Sequence, residues 1–192
     1  MTSKKRVALI TGAESGIGKS TSKIFLDNGY KVICTYLKNN NNKNTKDIEY
    51  HRIDITKNKD WENLALYIKK KFKKIDVLVN SAGVRLSGNL ETTSMSDWSY
   101  HLNNNVTGTF LACKYILPFL KKAKNSSIIN VASINSIRGA KNMLAYATSK
   151  SAIISFTASL ALDLTKNKIR VNAVAPGAIE TPMLASFKKD LS

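Results

Sequence analysis

The chain has 192 residues, 43% hydrophobic and 22% charged, which is typical of one soluble globular domain and excludes a disordered or collagen-like chain. Two cysteines are too few for a disulfide scaffold, and the apolar run after the basic N-terminus is too short for a signal peptide or a membrane span. We therefore expect a cytoplasmic protein with reduced thiols. A net charge of +17 would suit a polyanionic partner, but 25 of the 30 basic residues are lysines, and the lysine run 69–74 contains one aromatic residue, at a helical core spacing. This favours a compositional bias.

Six short apolar segments predict β-strands, and the segments between them predict helices. Several strands are apolar without interruption, as from Val7 to Ile10, which is typical of strands buried on both faces of a sheet. The alternation predicts βαβ units and a parallel sheet covered by helices, in which ligands bind at the carboxyl ends of the strands. The asparagine-rich stretch 39–44 is predicted to be a loop. The predicted strands cover residues 7–11, 31–36, 49–54, 75–80, 127–132 and 169–174.

A glycine-rich turn, Thr11-Gly-Ala-Glu-Ser-Gly-Ile-Gly18, follows the first strand and leads into a helix predicted over 19–28. Glycines allow a tight turn and a close approach of the backbone to a pyrophosphate, whose charge then lies at the helix N-terminus. Such a turn alone is a weak signal, and a plain tight turn is the alternative. Its position between the first strand and a helix favours dinucleotide binding.

The second strand ends at Tyr36, at the position where an NAD-binding protein carries an acid for the ribose 2′-hydroxyl. Between Tyr30 and Lys46 there is no Asp or Glu, and Lys38 closely follows the strand end. A 2′-phosphate would meet no acid from this segment and one nearby lysine, so we expect a preference for NADP, with NAD as the alternative cofactor. The competing interpretation is that these lysines belong to the general lysine excess.

Tyr146 and Lys150 are spaced i, i+4 on a helix predicted from about residue 143, so they share one face of it. The ammonium favours the phenolate, which makes Tyr146 a proton donor to a carbonyl or an acceptor from an alcohol. Ser133 follows the fifth strand and reaches the same sheet edge. A solvated helix face is the usual explanation of an isolated Tyr/Lys pair. Its convergence with Ser133 and the glycine-rich turn favours a catalytic site.

The chain resembles the short-chain dehydrogenase/reductase family in six motifs, which occur in the family's order and spacing between Arg6 and about Met183. The resemblance implies a single Rossmann-like domain over residues 1–192, with a doubly wound parallel sheet. It also implies NAD(P)(H)-dependent interconversion of a ketone and a secondary alcohol, with a 3-oxoacyl thioester as one expected substrate beside sugars, steroids and small ketones. The motifs are Thr11-Gly-x-x-x-Gly-Ile-Gly18, Asn80-Ser-Ala-Gly83, Asn105-Val-Thr-Gly108, Ser133, Tyr146-x-x-x-Lys150 and Arg170-Val-Asn-Ala-Val-Ala-Pro-Gly177.

The same resemblance implies four catalytic residues. Tyr146 would be the general acid/base. Lys150 would hold the nicotinamide ribose hydroxyls and favour the tyrosine phenolate. Ser133 would orient and polarise the substrate oxygen, and Asn105 would hold a water that connects Lys150 to solvent in a proton relay.

For the cofactor, the resemblance implies contacts along the carboxyl ends of the strands. Asp54 would hydrogen-bond the adenine amino group, and Asn80 would brace the sheet beside the adenosine ribose. Residues 176–181 would hold the nicotinamide carboxamide and fix the ring face that transfers hydride. The expected cofactor-binding residues are Gly12, Ser15, Gly16, Ile17, Gly18, Lys38, Asp54, Ile55, Asn80, Ala82, Gly83, Tyr146, Lys150, Pro176, Gly177, Ile179 and Thr181.

Relative to the family pattern the sequence stops early, at Ser192. The pattern continues with a substrate-covering segment, a further helix and a seventh strand, so we expect a domain truncated after the sixth strand. It would be either a piece of a longer enzyme or a shortened member with weakened catalysis. Neither His51 nor His101 lies in a family motif or has metal-ligand spacing, so we assign neither a role and expect no metal site.

The predicted helices 110–120 and 144–164 are apolar on more than one side, which indicates burial beyond the sheet. Two such helices from each of two subunits would form a four-helix interface, so we expect a homodimer, which the resemblance also implies. The leading function is an oxidoreductase acting on a small carbonyl or alcohol substrate. One alternative is a catalytically silent dinucleotide-binding or interaction protein, which the intact Ser133, Tyr146 and Lys150 disfavour. The other is nucleic-acid binding, which the lack of arginine and aromatic clusters disfavours.

Overall fold

The computed structural model describes residues 5–38 and 43–189, so part of the predicted asparagine-rich loop, residues 39–42, lies outside the described residues. Within the described residues, six strands form one sheet of order β3-β2-β1-β4-β5-β6, and every neighbouring pair is parallel. This confirms the predicted Rossmann-like, doubly wound parallel sheet. The strands are β1 (Val7–Ile10), β2 (Lys31–Tyr36), β3 (Ile48–Arg52), β4 (Val77–Asn80), β5 (Ser127–Val131) and β6 (Arg170–Val174).

Helices cover both faces of the sheet and connect its strands, except that the described residues between β2 and β3 form no helix, so the predicted alternation does not hold at that connection. Helix α1 begins at Gly16 rather than at the predicted residue 19, because the last glycines of the glycine-rich turn form its first turn. A π-helix, Leu102–Thr107, joins α3 to α4 without a break. The helices are α1 (Gly16–Asp27), α2 (Asn58–Lys71), α3 (Met95–His101), α4 (Gly108–Leu120), α5 (Leu144–Asp163) and α6 (Pro182–Lys189).

The larger core cluster lies on the face of the sheet covered by α2, α4 and the end of α5. In α2, Trp61, Leu64 and Ile68 recur at helical spacing and are buried against the sheet, while the lysines at 69–71 lie exposed in the last turn. Positive charge suits that end of a helix, because the backbone dipole is negative there. These lysines of the basic run therefore have a structural explanation that needs no polyanionic partner.

The opposite face is covered by α1 over β1 and β2, where Phe25 and Leu26 pack on a second cluster. Towards the other edge, Asn172 and Val174 of β6 are exposed. Both cysteines are buried and unpaired, and burial raises the pKa of each thiol, Cys34 and Cys113, to about 12. None of the helices in the described part of the chain has the length and hydropathy of a membrane span.

A buried polar chain fixes the position of α5 over the sheet. The Asn80 side chain donates to Asn130 Oδ1 at 2.8 Å, and the Asn130 amide donates to Thr157 Oγ1 at 2.8 Å. All three residues are buried, so each lost hydrogen bond would leave an unsatisfied polar group in the interior. These two hydrogen bonds therefore hold β4, β5 and α5 in fixed positions relative to one another.

The strand order reverses between β1 and β4, and the loops that follow these two strands diverge at that point. Thr11, directly after β1, donates its backbone amide to the Val79 carbonyl at 3.0 Å. Its hydroxyl oxygen accepts from the backbone amides of Ser81 and Ala82, each at 3.0 Å. Open α/β sheets bind ligands at such a reversal, so these bonds set the geometry of the expected binding edge.

Candidate active site

A cleft of about 610 Å³ runs across the carboxyl ends of the strands, as the fold predicts. This volume is in the range of small-molecule and cofactor sites. The cleft is lined by the glycine-rich turn, by the ends of β2 and β5, and by the segments that follow β3, β4 and β6. Ser133, Tyr146 and Lys150 lie in the same lining.

The glycine-rich turn adopts a backbone that only glycine accommodates. Gly12 has a φ of 64°, and a Cβ there would lie 2.8 Å from the Ala82 Cα. A Cβ at Gly18 would overlap the Gly12 carbonyl oxygen. The Ala13 amide donates to the Thr35 carbonyl at 3.0 Å, which fastens the turn to β2. The result is a tight backbone loop at the N-terminus of α1, the arrangement that binds phosphate groups in proteins.

The end of β2 carries Tyr36 and Lys38 into the lining, as the sequence predicts, but it also meets an acid. Glu14, from the glycine-rich turn, accepts from the Leu37 amide with Oε1 at 3.4 Å. Its second oxygen, Oε2, is buried and has no hydrogen-bond partner among the described residues. Sequence reasoning missed Glu14 because it searched for an acid only in β2 and the segment after it.

Ser133 lies just after β5 and begins a short 3₁₀ turn. Its hydroxyl oxygen accepts from the Asn135 amide at 3.2 Å, and the Ser136 hydroxyl oxygen accepts from the Ser133 amide at 3.1 Å. This reciprocal cap fixes the serine in an extended backbone conformation at the cleft wall. The Ser133 hydroxyl oxygen already accepts a hydrogen bond within the turn. Its proton can therefore donate to the oxygen of a ligand in the cleft.

Tyr146 and Lys150 lie on the buried face of α5, one turn apart. The Tyr146 hydroxyl makes no hydrogen bond to any described residue and lines the cleft. Lys150 donates from Nζ to the Val131 carbonyl at 2.8 Å. Burial disfavours the ammonium and lowers the pKa of Lys150 to about 8. A lysine that is buried within a ligand cleft, with one carbonyl as its hydrogen-bond partner, is a strong candidate for a functional group.

Asn105 lies beneath the cleft, in the π-helix, and does not line it. Its amide donates to the Val84 carbonyl at 3.0 Å and to Ser149 Oγ at 2.8 Å, and its Oδ1 accepts from the Val84 amide at 2.8 Å. Both amide protons are therefore used within the protein. Gly83 passes over this residue, and a Cβ there would lie 3.0 Å from Asn105 Oδ1 and 3.3 Å from Lys150 Nζ. The missing side chain at Gly83 leaves room for the lysine to reach β5.

Two further residues of the expected cofactor set also lie behind the lining. Asp54 accepts with Oδ1 from the amide of Thr56 at 2.9 Å and from its hydroxyl at 2.7 Å, which shapes the entry to α2. Asn80 points into the interior, towards Asn130. The expected residues that do line the cleft are Gly12, Ser15, Gly16, Ile17, Gly18, Lys38, Ile55, Ala82, Gly83, Ser133, Tyr146, Lys150, Pro176, Gly177, Ile179 and Thr181.

The segment after β6 closes the cleft from the other side. The Pro176 carbonyl accepts from the Ile134 amide at 2.9 Å, which ties this segment to the turn that begins at Ser133. Farther along, a Cβ at Gly16 would lie 3.1 Å from Thr181 Cγ2, so the segment reaches the glycine-rich turn. The residues expected to hold the nicotinamide therefore lie between the turn that begins at Ser133 and the glycine-rich turn.

His101, to which the sequence analysis assigns no role, supports the cleft wall. It is buried at the end of α3, and its Nε2 accepts from the Leu86 amide at 3.0 Å. Nδ1 lies 2.7 Å from the Asp97 carbonyl, so the ring is the neutral tautomer that donates from Nδ1. The imidazole centroid is 6.4 Å from that of Tyr146. A lone histidine outside any motif gives no sequence signal for such a role.

Comparison with known proteins extends these observations. The model of the short chain dehydrogenase family matches residues 6–192. The 3-oxoacyl-[acyl-carrier-protein] reductase FabG of Thermotoga maritima is 37% identical over 186 residues, covering 93% of this chain and 76% of that protein. Dehydrogenase/reductase SDR family member 6 of Aquarana catesbeiana is 36% identical over 183 residues, covering 93% and 73% of the two chains.

Solved structures are similar over nearly the whole chain. Ligand-free aldohexose dehydrogenase of Thermoplasma acidophilum matches with a TM-score of 0.90 at 33% identity, covering 97% of this chain and 71% of the other. A tyrosine-to-phenylalanine variant of ElxO with NADPH bound matches with a TM-score of 0.89 at 32% identity, covering 97% and 79%. The similarity therefore includes both ends of the cleft.

The low pKa of Lys150 predicts a pH-dependent stability. Between pH 8 and 10.5 the unfolded chain holds a proton at this lysine that the folded chain has lost, so folding becomes more favourable as the pH rises through that window. Relative to Lys150→Met, the free energy of unfolding of the wild type should rise from pH 8 to 10.5 and stay level below pH 8. Denaturant titrations across pH measure this difference.

The exposed Lys121 offers a matched control. The difference between the wild type and Lys121→Met should not vary through the same window. Parallel pH profiles for the wild type and Lys150→Met would contradict a buried lysine with a lowered pKa.

Proposed function

Because the chain belongs to the short-chain dehydrogenase family, we propose that it is an NADP(H)-dependent oxidoreductase that interconverts a ketone and a secondary alcohol. The observation that carries this proposal is the single cleft at the carboxyl ends of the strands. Its lining includes the glycine-rich turn and also Ser133, Tyr146 and Lys150. No element of the fold requires those three side chains together, so their convergence favours catalysis over a silent dinucleotide-binding protein.

The residues present suit a nicotinamide dinucleotide. The backbone at Gly12 and Gly18 packs too closely against neighbouring backbone to admit a Cβ, and the resulting tight turn at the N-terminus of α1 suits a pyrophosphate. From there the cleft extends to the end of β2 on one side and to Lys150 on the other. In this proposal the adenosine half lies towards Lys38 and the nicotinamide half towards residues 176–181. The bound nicotinamide would supply or accept the hydride.

Ser133 and Tyr146 would act on the substrate oxygen. The Ser133 hydroxyl proton would donate to the carbonyl oxygen and polarise it, while the serine oxygen stays fixed by the Asn135 amide. Tyr146, whose hydroxyl has no protein partner among the described residues, would transfer its proton to the same oxygen as it becomes an alcohol. In the reverse direction its phenolate would accept that proton. Asn105 would complete the expected catalytic set by holding a relay water through its remaining acceptor capacity.

Lys150 would bind and orient the cofactor, and it would not exchange a proton with the substrate. Its position beside Gly83 and the Val131 carbonyl lets it reach the nicotinamide ribose hydroxyls from within the cleft. A phenolate at Tyr146 would favour the ammonium form of this buried lysine, and the ammonium would in turn stabilise the phenolate.

The names of two relatives support a first choice of substrate class. These two, from Thermotoga maritima and Chlamydia pneumoniae, are named 3-oxoacyl-[acyl-carrier-protein] reductase, at 37% and 34% identity. We therefore propose a 3-oxoacyl thioester as the first substrate to test. An aldohexose and a hydroxycyclohexanecarboxylate, which occur in the names of two other relatives, are the next alcohols to assay.

Removal of the Tyr146 hydroxyl gives the first test. In Tyr146→Phe the ring packing stays and the transferable proton is lost, so turnover of a ketone substrate should fall at least about 10²-fold, the scale of general acid catalysis. The dissociation constant for NADPH, followed by nicotinamide fluorescence, should change little. Near-normal turnover in this variant would contradict the mechanism.

Cofactor preference gives the second test. Lys38 lies in the lining and the segment from Tyr30 to Lys46 contains no acid, so we expect NADPH to bind more tightly than NADH in fluorescence titrations. Tyr36→Asp should shift the preference towards NADH, because a carboxylate repels a 2′-phosphate and accepts from a ribose hydroxyl. Tighter binding of NADH by the unmodified chain would contradict the assignment.

Subunit association gives the third test. Phe110 on α4 and Leu162 on α5 are 46% and 78% exposed, which suits the proposed four-helix interface between two copies. The chain should sediment as a dimer at micromolar concentration, and Phe110→Lys with Leu162→Lys should give monomers. Ile24→Lys on α1, 61% exposed, is the matched control and should leave the dimer intact. A well-behaved wild-type monomer would contradict this interface.

A further inference from the structure

Glu14 is an acid inside a cleft lining that is otherwise basic. Among the described residues that line it, Lys38, Arg85, Lys141 and Lys150 are cationic and Glu14 is the one carboxylate. Its backbone belongs to the glycine-rich turn, and its side chain reaches across to the end of β2, where Oε1 accepts from the Leu37 amide at 3.4 Å. The carboxylate therefore lies at the adenosine end of the proposed site.

The Glu14 carboxylate has an unused acceptor. Oε2 is buried and has no hydrogen-bond partner among the described residues. A carboxylate oxygen without a donor is costly to bury, and an ionised carboxylate can only accept hydrogen bonds. A ligand that brings a hydroxyl to this point would satisfy Oε2, whereas a ligand that brings an anionic group would be repelled.

The place of Oε2 identifies the ligand group. In a doubly wound sheet the end of the second strand faces the adenosine ribose, and an acid there distinguishes a free 2′-hydroxyl from a 2′-phosphate. In this chain β2 ends in Tyr36, and Lys38 follows it, so the strand itself supplies no acid. Glu14 brings a carboxylate to the same point from the neighbouring turn.

We propose that Glu14 is a specificity-determining residue, whose carboxylate accepts a hydrogen bond from the adenosine ribose of NADH and opposes the 2′-phosphate of NADPH. The inference rests on the proposed function. Lys38 and Glu14 then act in opposite directions on the same phosphate. The chain binds both dinucleotides, and Glu14 keeps the preference for NADPH small.

A purely structural role for Glu14 makes a different prediction. The hydrogen bond to the Leu37 amide also helps to hold the turn against β2, but the Ala13 amide already makes a shorter bond to Thr35, at 3.0 Å. Loss of a structural tie would weaken both dinucleotides equally, because both place the same pyrophosphate on the turn. Loss of a specificity determinant changes the ratio of the two affinities.

The test uses Glu14→Gln, which keeps the shape of the side chain and removes its charge. Dissociation constants for NADPH and NADH are measured by nicotinamide fluorescence on the full chain at low ionic strength. NADPH should bind more tightly and NADH more weakly, so that the affinity ratio rises about tenfold, the scale of one like charge near a protein surface. The gain for NADPH should shrink as salt is added.

Two variants serve as controls. Lys38→Met should move the ratio the other way, by weakening NADPH and leaving NADH nearly unchanged. Glu91→Gln removes an exposed acid outside the cleft lining and should change neither affinity. Thermal unfolding of each variant establishes that it is folded.

The outcomes separate this inference from the function on which it rests. An unchanged ratio in Glu14→Gln, or equal weakening of both dinucleotides, overturns the inference while the proposed function stands. If neither dinucleotide binds the wild-type chain, the proposed function fails and this inference fails with it.

Discussion

The Thr11 hydroxyl is the contact on which the rest of the site depends. It accepts from the amides of Ser81 and Ala82 at the point where the strand order reverses. The two loops that diverge there form the floor of the cleft, and Gly12 passes so close to Ala82 that no side chain fits between them. A parallel sheet leaves open space at its reversal, and this hydroxyl gives that space a fixed shape.

The part of the cleft that contains Ser133, Tyr146 and Lys150 is positioned by hydrogen bonds that come from beneath it. Asn130 ties β5 to Thr157 of α5, and Asn105 ties the same helix, through Ser149, to the loop after β4. Helix α5 therefore holds Tyr146 and Lys150 in fixed positions in the cleft lining. Lys150 in turn donates to the last carbonyl of β5, which fixes the position of its amino group.

Sequence patterns predict this fold well because its strands are short, apolar and separated by helices. The glycine-rich turn, Ser133 and the Tyr146/Lys150 pair are also readable, since each has a fixed spacing relative to a strand end or a helix turn. Glu14 and His101 are not readable in this way. Their importance comes from contacts with Leu37 and Leu86, which lie far from them along the sequence or outside any motif. The part played by Asn105 as a brace likewise depends on a π-helix that no local pattern indicates.

Hydrogen–deuterium exchange of the chain with and without NADP⁺ tests most directly the claim that this cleft binds a dinucleotide. Binding should slow the exchange of backbone amides in residues 12–18, in residues 81–84 and in residues 177–181, because these segments line the cleft. Helix α2, which packs on a face of the sheet and does not line the cleft, should exchange at an unchanged rate. Protection confined to α2, or none in residues 12–18, would contradict the account.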